Sequence, residues 1–459
     1  MTTELLIQGG YVVTPGGVLY ADVAIAGGRI QKVGPALGPE RGTQVVDARG
    51  LVVMPGIIDA HTHFELHSRG TVTADDFRQG SISAACGGVT TFIDFADAEA
   101  GLSFTQAADR RRQQAEGRSA IDFSLHLSLN DAPAEKAGEL AELVQYGISS
   151  LKVFTTYRKE GYMLKPGQME FLLQESRRLG ALVQVHAEDN GLVESLTERH
   201  LAEGKTEPRY HPVSRPNEAE RKAIAAVIQQ AEKTQAPVYF VHISTEEGLA
   251  EIKQAQARGM KVWAETCPQY LLLDQSLYEE PQAQRFILTP PLREKKDNAA
   301  LWQGLVDGVL ATVATDHCAF SLMQKGQATS FVDTLPGLPG VETLLPLLYS
   351  EGVGKERFGL ERLVELLSTN PARIFGLYPR KGALLPGSDA DLVLFDPERE
   401  VTLTASALHS AAGYTPYEGF RVRGYPVMTI LRGQLISQEG SFVGEDGAGR
   451  FIPARATTR

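Results

Sequence analysis

Cysteine is scarce in this chain. The three residues, Cys86, Cys267 and Cys318, cannot pair evenly, and no two of them form a Cys-x-x-Cys motif. A reduced compartment, the cytoplasm, is the simplest reading. Long apolar runs are also missing. None reaches ~18 residues, so no membrane span is expected. The opening Met1-Thr2-Thr3-Glu4 has neither a basic region nor a long apolar core, and no signal peptide is expected. Basic clusters are lacking too. With 45 Lys and Arg against 56 Asp and Glu, the net charge is −11, and nothing tracks a phosphate backbone. Nucleic acid is therefore not an expected partner. What remains is ordinary globular composition, 43% hydrophobic and 22% charged, in 459 residues. That length accommodates one large domain and a smaller one.

Both ends of the chain read as short strands split by glycine and proline. At the start these are Leu5-Leu6-Ile7, Tyr11-Val12-Val13, Asp22 to Ile25 and Gln44 to Asp47; at the end, Ala390 to Phe395, Val427 to Leu431 and Gln434-Leu435-Ile436. Neither end is large enough for a good core alone, so the two are expected to pair into one β-sandwich over residues 1–54 and 384–459. The middle, 55–383, alternates strand and helix. Candidate strands are 51–58, 89–95, 122–128, 149–154, 182–186, 238–243, 261–265 and 310–315, with helical patterns at 168–179, 216–233 and 246–258. Eight strands with intervening helices predict an α/β fold of the (β/α)8 barrel type. The Gly-, Pro-, Ser- and Thr-rich stretch 319–340 reads as a long loop shaping the barrel mouth.

Barrel active sites gather at the carboxyl ends of the strands. The first candidate strand leads into Asp59-Ala60-His61-Thr62-His63, two histidines on one face of an extended chain. The fourth carries Lys152, the fifth ends in His186, the sixth in His242, and the eighth runs into Asp316-His317. Taken singly, His186 or His242 is a core histidine with a satisfied hydrogen bond, and Asp316 a helix N-cap. Lys152 is different: flanked by Leu151, Val153 and Phe154, it is expensive to bury without a purpose. Together at strand ends, these residues point to a metal site. His67, His126, His200, His211 and His409 have no such placement and read as surface or structural residues. His317 reads as support for the site, and Arg69 as a solvated loop charge.

The set His61-x-His63, Lys152, His186, His242 and Asp316 resembles the amidohydrolase superfamily, whose binuclear members carry a carboxylated lysine and pair a barrel with a β-sandwich from both termini. Within it the chain looks like the cyclic amidases, dihydropyrimidinase and D-hydantoinase. The segments that carry the likeness are Gly70 to Phe77, Gly147 to Phe154 with Tyr157 five after the lysine, Glu265 to Leu271, Pro290 to Arg293, Asp316-His317-Cys318 and Tyr414 to Gly419.

That resemblance implies two divalent metal ions, zinc or alternatively manganese. His61, His63 and Asp316 would hold one, His186 and His242 the other, with Lys152 bridging as a carbon dioxide-derived carbamate (N6-carboxylysine). It implies ring opening to an N-carbamoyl amino acid, with Asp316 moving the proton and Tyr157 donating to the carbonyl oxygen. Thr289 and Pro336 would read the ring through their backbone. Pro336 departs from the asparagine usual in the family, and proline has no N–H to donate. A homotetramer is the assembly implied. Two other readings stand beside this one. Allantoin is an alternative substrate, recommended by Gly337-Leu338-Pro339-Gly340-Val341-Glu342, while Tyr157 and Gln269 argue against it. A non-catalytic scaffold related to dihydropyrimidinase is the other, and the filled ligand positions argue against that.

Overall fold

The computed structural model describes residues 3–457. Eight parallel strands form the barrel: β1 (Ile57–Thr62), β2 (Val89–Asp97), β3 (Asp122–Ser128), β4 (Ser150–Phe154), β5 (Leu182–His186), β6 (Val238–Phe240), β7 (Val262–Thr266) and β8 (Thr312–Val313). They pair in that order. The ring is nearly closed where Thr62 bridges His317 and the His63 N–H donates to the His317 carbonyl at 2.8 Å. Parallel strands covered on both faces read as continuous apolar runs rather than alternating ones. β2 shows this, with every residue from Val89 to Ala96 buried. Helix Asn217–Thr234 turns Ala223, Ile224, Val227, Ile228 and Ala231 inward, the spacing of one helical face. Helix Gln168–Leu179 stops at Gly180, whose φ of 76° is the left-handed cap that glycine adopts without strain.

Strands from both termini join in one nine-stranded sheet. Alternation along its strands separates two cores. Val12, Val53, Leu392 and Leu394 point into a core of the sheet's own. Their neighbours Val13, Val52, Met54, Val393 and Phe395 belong to the main core shared with the barrel. The expected sandwich is thus a single hydrogen-bonded sheet folded over its own core.

Several boundaries differ from the sequence reading. The candidate strand 51–58 is two strands. Val52–Pro55 pairs in the terminal sheet with Leu392–Phe395, and β1 begins only at Ile57. Gly56 makes the crossing, packed so closely on Thr90 that a Cβ would lie 2.0 Å from its Oγ1. Candidate strand 310–315 is strand only at Thr312–Val313, because the chain turns into Asp316 with φ of 51°. The loop 319–340 contains a short helix, Leu322–Gly326, with a Ser321–Gln324 capping box.

Candidate active site

The carboxyl ends of the barrel strands converge on one cavity of about 390 Å³. His61 lies at the end of β1 and His63 just beyond it. Lys152 sits within β4 and His186 closes β5, while His242 and Asp316 stand just past β6 and β8. His61 Nε2 and His63 Nε2 lie 3.2 and 3.1 Å from the same oxygen, Asp316 Oδ1. Across from them, His186 Nδ1 faces His242 Nε2 at 3.0 Å. The two groups adjoin, the His61 and His242 rings being 5.5 Å apart. Lys152 is 2% exposed. Its Nζ lies 5.3 Å from the Phe95 and Phe154 rings, with no hydrogen bond to the described residues. All six sequence-picked donors are therefore in one place.

Several partners of these donors escaped the sequence reading. Glu265, at the end of β7, lies 2.6 Å from His61 Nδ1, accepts from the Tyr239 hydroxyl at 2.7 Å and takes the His242 backbone N–H. Glu188 Oε2 lies 2.7 Å from His186 Nε2 and 2.5 Å from Arg215 Nη1. Asp59 accepts from the Thr315 hydroxyl and backbone, tying β1 to the end of β8. Asp75 lies 2.9 Å from His317 Nε2, and His317 Nδ1 accepts from the Gly340 and Val341 backbones. A carboxylate behind a histidine fixes its ring and its tautomer. His61 and His186 thus each have one ring nitrogen engaged and the other turned to the cavity. The available signal was spacing: Glu188 is two residues after His186 on an extended chain, and Glu265 ends an apolar strand.

Burial sets most of the electrostatics. It pushes the His61 and His242 imidazoles well below their ordinary range, towards the neutral form that binds a cation. It pulls the Lys152 ammonium down to about 8. Burial would also raise Asp316, but His61 and His63 outweigh it and hold that carboxyl at about 2. Among the described residues, His61, His63 and Asp316 form one group with donor atoms close enough for a single ion. Lone pairs facing each other across 3 Å, backed by carboxylates, fit a bound divalent cation. A second acidic group, Asp122, Asp389 and Asp391, does not. Lys381 Nζ already sits 2.6, 3.1 and 2.5 Å from those three carboxylates and supplies the positive charge.

Tyr157 stands on the cavity wall with its ring 5.2 Å from His186. Burial lifts its hydroxyl to about 12, so it stays a donor. Thr289 and Pro336 line the same wall. The N–H of Gly337 is committed to the Ile287 carbonyl, and among the described residues the Pro336 carbonyl accepts only a long contact of 3.8 Å from Cys318 Sγ. Leu66, Phe154, Tyr162, Phe320 and Leu338 give the cavity an apolar side. Arg69 is no free loop charge: its Nη1 donates to the Val332 carbonyl at 2.8 Å, strapping the loop after β1 to the loop after β8. Arg69, Tyr157, His242 and Asp316 have φ of 47°, 66°, 39° and 51°, a conformation non-glycine residues rarely adopt. Such strain concentrates at functional sites.

The other histidines stand apart from the donor groups. His67 is exposed. His126 lies buried within the barrel against Ser150 and the Ala60 carbonyl. His200 is buried and His211 donates to the Leu288 carbonyl. His409 pairs with Glu342 at 2.9 Å.

A barrel whose strand ends gather four histidines, a buried lysine and an ionised aspartate in one cavity defines a class of hydrolytic barrel proteins. The chain belongs to the amidohydrolase family, whose model matches residues 52–436. It is 41% identical over 456 residues to a D-hydantoinase of Ralstonia pickettii, covering 98% of this chain and 99% of that one. A solved D-hydantoinase superposes with a TM-score of 0.97 at 38% identity, over 99% of this chain and 100% of the other. A dihydropyrimidinase from Brevibacillus agri gives 0.96 at 38% identity, with 99% of both chains covered.

Proposed function

We propose that this protein hydrolyses cyclic amides, opening dihydropyrimidine or 5-substituted hydantoin rings to N-carbamoyl amino acids. The observation that carries the reading is the cavity itself. Two facing donor groups, the buried Lys152 and the hydroxyl of Tyr157 all open onto it. His61, His63 and Asp316 would hold one divalent cation and His186 with His242 a second, zinc being the first choice and manganese the other. Lys152, as its carbamate, would bridge them. The lowered basicity of Lys152 supports this, since only the neutral amine adds to carbon dioxide. Bound divalent cations lower the pKa of water towards neutrality and polarise a carbonyl.

The chain's own groups do the rest. Tyr157, protonated throughout the neutral range, donates to the carbonyl oxygen as negative charge develops there. Asp316, ionised at neutral pH, takes the proton of the attacking water and delivers it to the leaving ring nitrogen. The Pro336 carbonyl is left to accept from a ring N–H, and Thr289 flanks it. Leu66, Phe154 and Tyr162 suit an apolar group on ring carbon 5. A homotetramer in the cytoplasm completes the reading. Among the described residues no helix is long and apolar enough to cross a membrane.

Allantoin is the second reading, and Tyr157 at the cavity wall favours the first. The deciding experiment compares ring-opening rates of the metal-loaded protein on dihydrouracil and 5-phenylhydantoin. Faster opening of the aryl hydantoin is expected. No turnover of either ring with two metals bound overturns the proposal.

A further inference from the structure

Arg215 lies outside every motif used so far, at the end of the short helix Tyr210–Ser214. Its side chain is only 12% exposed, and its guanidinium serves two different parts of the site. One edge donates to Glu188 Oε2 at 2.5 Å, the same oxygen that lies 2.7 Å from His186 Nε2. Its carbon lies 5.1 Å from the centre of the Tyr157 ring. The other carboxylate oxygen, Glu188 Oε1, is buried without a hydrogen-bond partner among the described residues, so the pair turns on one shared atom. Arg215 is itself anchored from behind. Arg293 Nη1 donates to its carbonyl, and Arg293 Nε donates to Ser244 Oγ at 3.1 Å. Ser244 in turn donates to the buried Glu220 at 2.6 Å. Arg293 and Glu220 are 3% and 2% exposed, so the assembly is rigid.

We propose that Arg215 is a positioning residue that couples the His186 side of the site to Tyr157. It holds the Glu188 carboxylate aimed at His186 Nε2, which leaves His186 Nδ1 facing His242, and it braces the Tyr157 ring from one face. The two roles need different properties. Glu188 needs a positive charge in place, which lysine also supplies. Tyr157 needs a flat cation against its ring, which lysine does not supply.

The inference rests on the hydrolase reading only for its kinetic arm, so the test has two arms. R215K and R215M are loaded with Co2+ alone, and its absorption spectrum and dissociation constant are measured. The kcat and KM for 5-phenylhydantoin follow. Loss of a partner behind a ligand weakens metal binding roughly 10- to 100-fold, so R215M is expected to show that loss with an altered Co2+ spectrum. R215K is expected to keep Co2+ affinity within about threefold of the parent. Its kcat falls about tenfold with KM nearly unchanged, as for an interaction made only in the transition state. R215K matching the parent in both arms overturns the proposal. So does R215K losing metal and rate together as far as R215M does, which marks a merely structural residue. Should R215M fail to fold, R215K alone decides. If the parent opens no ring, the function proposal fails, while the Co2+ arm still judges the Glu188 role.

Discussion

Single side chains divide by what they touch. Tyr157→Phe removes one donor to the developing oxyanion and leaves every donor atom in place. A fall in kcat of roughly 10²- to 10³-fold with unchanged metal content is expected, read by steady-state kinetics beside metal analysis. Lys152→Ala removes the buried amine that lines the same cavity, and loss of both metal and rate is expected. Full metal content and full rate in that variant would rule out a carboxylated Lys152. Arg69 holds a left-handed conformation and a hydrogen bond across the mouth. Arg69→Gly relieves strain of ~1 kcal/mol but frees the loop. The KM for 5-phenylhydantoin is expected to rise about fivefold, with that for unsubstituted hydantoin unchanged, as for loss of one hydrogen bond partly offset.

Among elements, the loop after β8 is tied down by one buried lysine. Lys325 is 1% exposed, and its Nζ donates to the Arg285 and Ile287 carbonyls at 3.1 and 2.8 Å. Burial depresses its pKa from 10.5 to about 7. Above about pH 7 the folded chain therefore binds fewer protons here than the unfolded one, so stability rises with pH between about 7 and 10.5. Lys325→Met lacks that slope. The melting temperature of the parent is expected to gain on the variant from pH 7 to pH 9, and parallel curves would refute the assignment. This scale also shows what a sequence reveals. Helix 168–179 was legible to the residue because Gly180 ends it, and the donors were legible because each lies in or just past an apolar strand. The split of 51–58 was not, since both halves are apolar and only the pairing of Val52–Pro55 with Leu392–Phe395 separates them. Glu188 showed only as a spacing, and Arg215 not at all, because its side-chain partners are 27 or more residues away in sequence.

Over the whole molecule, barrel and terminal sheet are clasped by charge. Lys381, 1% exposed on its side chain, joins Asp122 at the start of β3 to Asp389 and Asp391 beside the terminal sheet. Arg432 adds a further contact to Asp122. Lys381→Met leaves buried carboxylates short of their partner, and a loss of about 3–5 kcal/mol is expected. Thermal inactivation would then speed up sharply while kcat at low temperature stays unchanged.

The crossing at Gly56 limits how this architecture can be recombined. One continuous stretch supplies a strand to the terminal sheet, turns on a single glycine, and then becomes the strand that carries His61. A chimera that takes its smaller unit from one parent and its barrel from another must be joined within a residue or so of that glycine, where Thr90 leaves no room for a side chain. The terminal sheet is not a detachable cartridge, and exchanging it without Thr90 would disturb the seat of His61 and His63.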